Sequence, residues 1–475
     1  MGTVVIGQKV NSLIDSVKRY FTDRLAKIDI FDETQVAKQE TSPWYQLGGF
    51  VYLFWMITVV SGLFLVAFYI PTIYQAYDSI ELIKESPLLS IIRGMHKYGG
   101  DAIIIAATLR CYRIWFKGEY KNKGEFNFII AMITLLAAMY SGLTGYLLIW
   151  NQRAFWATKV FATFPTYLDI APAVNQWFLP HITGLVTSTI GTMTHQGMNT
   201  SQILLGGSSI GQATMTRFFS LHFAFSLIML VATELYFYAN RAKRINLNRW
   251  QVLVLILMLI FTSVVLPAES GSRANPEVTP LPILSDWYFL ALYQLLKYMD
   301  PYWATLWTVA IPFGFIAISF LDFGQETNPW RRPIFTMGMI IGFIDFIVFS
   351  VLIIFNQADI NTHPPFWYAQ MILMFTIGEL WHFALYRQMN VWLWWLVPNV
   401  LFSFWYFFMH VIPKPLPPES LQWIYNVQVT GSIPENMGHH PWLTMWLFFT
   451  LALVALTAWF YTLLPKSGAN AEGAA

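Results

Sequence analysis

The stretch GMHKYGGDAIIIAATLRCYR, Gly94 to Arg113, sets one histidine, His96, at the head of an apolar run and one arginine, Arg110, fourteen residues further on. Fourteen residues are about four helical turns, or about 21 Å of rise, so both side chains lie on one face of a helix at two depths. The run reads as a membrane span entered through a histidine. A second such run, LHFAFSLIMLVATELYF (221–237), also carries its histidine, His222, at the head. What the two helices hold between them depends on whether they run side by side in the same direction.

Composition places both runs in a membrane. The 475-residue chain is 56% hydrophobic and 17% aromatic, and only 11% of it is charged, too little polar surface for a soluble protein of this size. A net charge of +2 offers no electrostatic footprint for nucleic acid. The single cysteine, Cys111, excludes a disulfide framework, a cysteine-held iron–sulfur cluster and a C-x-x-C-H haem attachment within this chain. The polar N-terminal segment predicts no removable signal peptide.

Apolar runs of roughly 20 residues, enough to span a bilayer, fall at about 45–70, 94–116, 126–150, 217–240, 250–267, 303–322, 335–356, 366–386, 391–411 and 441–464. The expected fold is therefore all-α, a polytopic helical bundle of about ten spans. Lysine and arginine crowd the N-terminal segment and the connections after spans two, four and six, among them Lys117, Lys121, Arg241, Arg244 and Arg331. Those loops are then cytoplasmic, which puts both termini on the cytoplasmic side of the inner membrane and runs spans two and four in the same direction. Ahead of the first span, Val10, Leu13, Ile14, Val17, Phe21, Leu25 and Ile28 share one helical face. They predict a helix lying on the cytoplasmic interface or packing on a soluble partner. Two long outer connections, 151–216 and 268–302, are candidates for function, and the tail KSGANAEGAA is expected to be disordered.

Two histidines at matching depth on parallel-running helices have the geometry of a bis-histidine haem site; the alternative is two separate interfacial histidines. Arg93 lies three residues before His96 and Arg217 five before His222. Cations there would meet haem propionates, or simply anchor the interface. Gly48 and Gly62 in the first span, and Gly145 in the third, would let a flat macrocycle approach the backbone, though glycine also serves plain helix packing. The partner of Gly145 at the inner level would be position 131, which is Ala131.

Four long segments, SGLTGYLLIWNQRAFWATKVFATFP (141–165), LLGGSSIGQATMTRFFSLH (204–222), NPEVTPLPILSDWYF (275–289) and TNPWRRP (327–333), resemble the cytochrome b/b6 family of quinol–cytochrome c reductases in sequence and in order. The resemblance runs from about residue 9 to 356, as a b6-type half fused to its partner half. It implies an interfacial segment at 1–40, a four-helix haem domain at 41–245 and a three-helix domain with a quinol-site loop at 246–360. Residues 361–475, with three further spans, and the insertion at about 168–203 have no counterpart in that pattern. The family pattern has a second histidine fourteen or fifteen residues after each first one, and those positions here hold Arg110 in span two and Tyr236 or Phe237 in span four. The resemblance therefore implies one haem b, near the outer face between His96 and His222, where its relatives carry two. Arg110 with Glu234 is a candidate ion pair in the vacated region. The cysteine that anchors an extra haem in b6-type relatives is replaced by Gln46, so the inner quinone site is in question too.

The resemblance also implies an outer quinol site, where the family's Pro-Glu-Trp-Tyr becomes Ser285-Asp286-Trp287-Tyr288. Asp286 keeps a carboxylate able to take a proton from quinol, with Tyr288 beside it and Tyr146, Trp150 and Phe155 as candidate facing wall. The implied partners are quinone or quinol, a Rieske-type iron–sulfur protein or c-type cytochrome subunits on separate chains, membrane lipid, and a second copy within a larger complex. Two other readings stand beside this one: a structural anchor with a vestigial haem site, and an ion conduit through Asp101, Arg110 and Glu234. Glu379 and His382 have metal-ligand spacing but no evident partners.

Overall fold

The computed structural model describes residues 14–19, 43–169, 200–239, 247–280, 284–297, 301–322, 325–355, 377–378 and 380–386. Its helices are α1 (Leu47–Val66), α2 (Ala76–Glu85), α3 (Pro87–Lys117), α4 (Glu125–Leu147), α5 (Gln152–Asp169), α6 (Thr200–Leu205), α7 (Gln212–Ala239), α8 (Arg249–Val265), α9 (Leu290–Lys297), α10 (Pro301–Leu321) and α11 (Pro333–Phe355). The described residues form no sheet, only an isolated antiparallel bridge between Asn151 and Arg273.

Seven of the ten expected spans coincide with described helices. By length and apolar composition, four stretches among the described residues suffice to cross a membrane: Leu47–Val66, Glu125–Leu147, Gln212–Tyr238 and Phe335–Ile354. The difference has a physical cause in α3, which carries Arg93, Lys97, Asp101, Arg110, Arg113 and Lys117 and starts at Pro87, nine residues before His96. Its three arginines are buried within the protein, so they are kept from lipid by neighbouring helices. α8 is short, at 17 residues. The expected spans at 391–411 and 441–464 lie outside the described residues; of 366–386, only residues 377–378 and 380–386 are described, and they are helical. Of the interfacial helix, residues 14–19 are described, helical and exposed. The two outer connections are not plain loops, since the first contains α5 and α6 and the second α9.

Local chemistry sets the helix ends. Pro87 occupies the first turn of α3, where its missing N–H costs nothing. Gly118, at φ 61°, ends that helix in the left-handed conformation, and Glu119 N–H returns to Ile114 O at 2.9 Å. Asn248 and Gln251 form a reciprocal capping box at the start of α8, at 2.8 and 3.0 Å. Val60, Leu63 and Phe64 on α1, and Leu227, Ile228 and Val231 on α7, face outward, as apolar stripes do toward lipid.

The chain forms two compact units, one of residues 1–162, 190–283 and 311–325, the other of 163–189, 284–310 and 326–475. In the first, α1 packs along α3 and α4 along α7, and Trp55 Nε1 on α1 donates to Ser226 O on α7 at 3.3 Å. Within the second, α9 packs on α11, and Tyr386 O–H donates to Arg331 O.

A buried ion pair fastens the turn after α3 to the end of α10. Lys121 Nζ lies 2.9 Å from Asp322 Oδ1, with side chains 4% and 3% exposed. Tyr120 O–H donates to the other carboxylate oxygen at 2.5 Å. Removing one member of such a pair strands its partner without counter-charge. Asp322→Asn is expected to cost about 3–5 kcal/mol, read as a lower thermal midpoint in detergent. Lys121→Met combined with Asp322→Leu should cost less than either single change; a single variant as stable as the parent would count against the clasp.

Candidate functional site

α3 and α7 bring His96 and His222 together. Their ring centroids are 5.9 Å apart and the planes cross at 67°. Each ring is held through Nδ1 by a carbonyl of a neighbouring helix: His96 to Thr58 O on α1 at 2.8 Å, and His222 to Ser141 O on α4 at 2.8 Å. A carbonyl only accepts, so each Nδ1 carries the proton and donates it. Each Nε2 is then left with its lone pair. That is the tautomer a metal-binding imidazole needs. With both Nε2 lone pairs uncommitted and the rings this close, the two imidazoles would together supply two nitrogen donors to one metal ion.

The glycines explain why those carbonyls can be reached. Within a helix, Thr58 O and Ser141 O belong to the turns capped by Gly62 and Gly145, four residues on. A Cβ on Gly62 would lie 2.8 Å from His96 Cε1 and 3.1 Å from Nδ1. One on Gly145 would lie 2.6 Å from His222 Cε1 and 2.8 Å from Nδ1. Both distances are shorter than carbon atoms tolerate, so each glycine admits an imidazole to the backbone. The residues just before them repeat the pattern: Ser61 Oγ donates to Thr58 O and Thr144 Oγ1 to Ser141 O, each at 3.0 Å. From sequence these glycines are expected to admit a macrocycle or to serve helix packing; the doublets Ser61-Gly62 and Thr144-Gly145 are the further sequence signal of the two imidazole cradles.

Gly48 behaves differently. A Cβ there would only touch the Phe237 and Tyr236 rings at 3.8 Å. These rings, with buried Ala131 and the T-shaped contact of Tyr52 with Phe237 at 5.6 Å, fill the inner level. Of the two candidates in span four, Tyr236 is the one that meets Arg110, whose guanidinium lies 3.6 Å from its ring centroid. Arg110 thus meets this ring in place of the Glu234 carboxylate considered from sequence. Asp101 pairs with Lys97 on the next turn at 3.1 Å, an ordinary helix-surface ion pair.

Arg93 and Arg217 both serve backbone. Arg93 donates to Ala268 O and, at 2.9 Å, to Glu269 O. Arg217 donates to Ile203 O and lies under Gly206, whose φ of +83° and missing Cβ leave room for it. The segment that Arg93 grips is fastened along its length. Asn151 Nδ2 donates to Ser270 O at 2.7 Å, Tyr77 O–H to Gly271 O at 2.6 Å, and Arg273 to Asp78 at 2.8 Å.

Asp286 caps the single turn Trp287–Phe289 by accepting from Trp287 N–H at 2.8 Å. Tyr288 is buried between Trp287 and Phe289, at ring separations of 5.5 and 4.9 Å. Of the expected facing wall, Trp150 and Phe155 meet edge to face at 5.7 Å. Among the described residues no group of three or more metal-ligating side chains gathers. Glu379 lies outside them.

A family model described as cytochrome b/b6/petB matches residues 33–185, and one described as cytochrome b(C-terminal)/b6/petD matches residues 273–377. The cytochrome bc complex cytochrome b subunit of Chlorobaculum thiosulfatiphilum is 28% identical over 359 residues, 68% of this chain and 77% of its own length. The menaquinol:cytochrome c reductase cytochrome b subunit of Bacillus subtilis (strain 168) is 34% identical over 184 residues, 38% of this chain and 70% of its own. A solved structure, a hyperthermophilic respiratory Complex III, shares the fold with a TM-score of 0.55 and 22% identity, covering 80% of this chain and 98% of that one.

The cradles give a stability contrast between glycines. Gly145→Ala is expected to cost about 1–3 kcal/mol through overpacking, whereas Gly100→Ala on α3, with nothing within 4 Å of the new methyl, should be neutral or stabilising. Thermal unfolding of the two variants checks this; equal midpoints would contradict the cradle.

Proposed function

The chain belongs to the cytochrome b/b6 family, the cytochrome b subunit of bc-type quinol–cytochrome c reductase complexes, and from that premise we propose that it works with one haem b, held by His96 and His222. The observation that carries this reading is the matched pair of imidazoles, each with Nδ1 spent on a carbonyl and Nε2 free to ligate. The donor set fits haem b, which supplies a one-electron carrier when bound. Thr58 O and Ser141 O fix ring orientation and raise ligand basicity, and Gly62 and Gly145 make those contacts possible. The side chains at the family's second ligand positions, Arg110 and Tyr236, are engaged with each other and offer no imidazole.

Two consequences follow for the site's own residues. At the outer quinol site, Asp286 accepts a proton as quinol is oxidised, and the buried Tyr288 shapes the pocket and offers a hydroxyl to the quinone oxygen. The turn that Asp286 caps fixes the carboxylate on a short rigid segment. Electrons leave on the outer side, toward a Rieske-type iron–sulfur protein or c-type cytochrome on a separate chain. A relay through a second haem to the cytoplasmic side has no ligands here. Arg93, by gripping the carbonyls of residues 268 and 269, positions the segment that leads toward the quinol-site loop.

In the purified complex, a pyridine haemochrome assay should give one non-covalent haem b per copy of this chain, and His222→Leu should remove it; two haems per chain contradict the reading. For the quinol site, Asp286→Asn is expected to lower quinol oxidation by about 10²-fold or more while the haem content stays unchanged. Unaltered turnover in a quinol-driven assay would remove Asp286 from the reaction.

A further inference from the structure

Arg110 is 1% exposed and is among the largest fully buried side chains of the described residues. Among the described residues its close neighbour able to offset charge is Tyr236, whose ring face lies against the guanidinium and whose hydroxyl also acts on it, while Nε, Nη1 and Nη2 are buried and no hydrogen bond of normal geometry reaches them. The groups that act on it electrostatically are Tyr236, Cys111 and Arg113. Arg113 has the same charge and is itself buried, bonded to Glu119 at 3.0 Å. This end of α3 therefore gathers two guanidinium groups around one carboxylate, and the carboxylate belongs to Arg113. An arginine keeps its proton in a protein, and a buried charge is tolerated only when paired or fully hydrogen-bonded. A ring face meets a fraction of that need.

We propose that Arg110, together with Tyr236, holds a small monovalent anion of the halide class, with chloride the expected occupant. The size follows from the packing. Arg110 is itself fully buried with its guanidinium against the Tyr236 ring, and Tyr236 and Phe237 both stand 3.8 Å from the place a Gly48 Cβ would occupy, so the occupant is small. A single spherical ion accepts from the guanidinium fork from any direction. It is also less strongly hydrated than a carboxylate or phosphate, so it loses less on leaving water. The chemistry is that of a counter-ion: it neutralises the charge left where relatives of this chain are expected to place a second haem. The inference rests on the reading that no haem occupies this level.

The test uses the intact complex in detergent, exchanged into sodium gluconate and titrated with sodium chloride or sodium bromide at constant ionic strength. The thermal midpoint should rise saturably by about 2–4 °C with either halide, and the rise should vanish in Arg110→Met. Crystals grown or soaked in bromide should show an anomalous peak against the Arg110 guanidinium. A midpoint indifferent to halide with no bromide peak overturns the proposal, as does an equal response in Arg110→Met. Should that variant fail to fold, the bromide peak in the parent protein decides alone. Haem content measured on the same sample separates the two readings. Two haems per chain would remove the premise, whereas one haem with no bound halide would remove this inference only.

Discussion

Everything at the centre of this bundle depends on two hydrogen bonds of one kind, from an imidazole Nδ1 to a helix carbonyl one helix away. A carbonyl inside a regular helix is shielded by the side chain four residues on, and here that side chain is missing in both places. Gly62 bares Thr58 O, and Gly145 bares Ser141 O. The bond sets both the tautomer and the ring orientation and leaves Nε2 its lone pair, and the two helix pairs α1–α3 and α4–α7 hold the rings 5.9 Å apart. Helix packing, side-chain chemistry and ligand geometry are therefore one constraint seen at three scales. A methyl group at either glycine presses on the ring before it affects anything else.

The same helices diverge at their inner level. Where the outer level keeps polar rings facing across a gap, the inner level is closed by Arg110 on Tyr236, with Phe237, Tyr52 and Ala131 around them. Close packing does not leave a macrocycle-sized void when ligands are lost, because the lining would forfeit its contacts. In the one-haem reading proposed here, larger side chains take that space. One of them brings a charge, and that charge is the clearest unmet demand in the described part of the molecule. The proposed electron path and the proposed anion are both consequences of this exchange.

Much of this was legible in the sequence, and the reasons differ by feature. The apolar runs coincide with seven of the described helices, because hydrocarbon thickness fixes span length, although α3 and α7 begin well before their runs where the sequence turns polar. The fourteen-residue offset from His96 to Arg110 placed both on one helix face, and matching helices with the same direction brought His222 opposite. Gly62 and Gly145 are less legible, since a glycine in a span announces a close approach without saying what approaches, and here an imidazole stands against each. The partner of Arg110 was also missed. Charge complementarity pointed to Glu234, but two further residues turn the chain onto the face that carries Tyr236. Arg93 and Arg217 are candidates for propionates or for interface anchoring, and Arg93 reaches a loop carbonyl 175 residues away while Arg217 reaches the Ile203 carbonyl in α6, contacts that no local pattern reveals. The helices inside the two long connections are hard to read from sequence because α6 and α9 are short and α5, at 18 residues, mixes polar and apolar side chains.

This chain is proposed to hold a single electron-carrying centre. A spectroelectrochemical titration of the b-type absorbance in the intact complex reads this directly. One n = 1 component should account for the full amplitude and vanish together with the haem in His96→Leu. Two resolved b-type components, or amplitude surviving when both His96 and His222 are replaced, would contradict it.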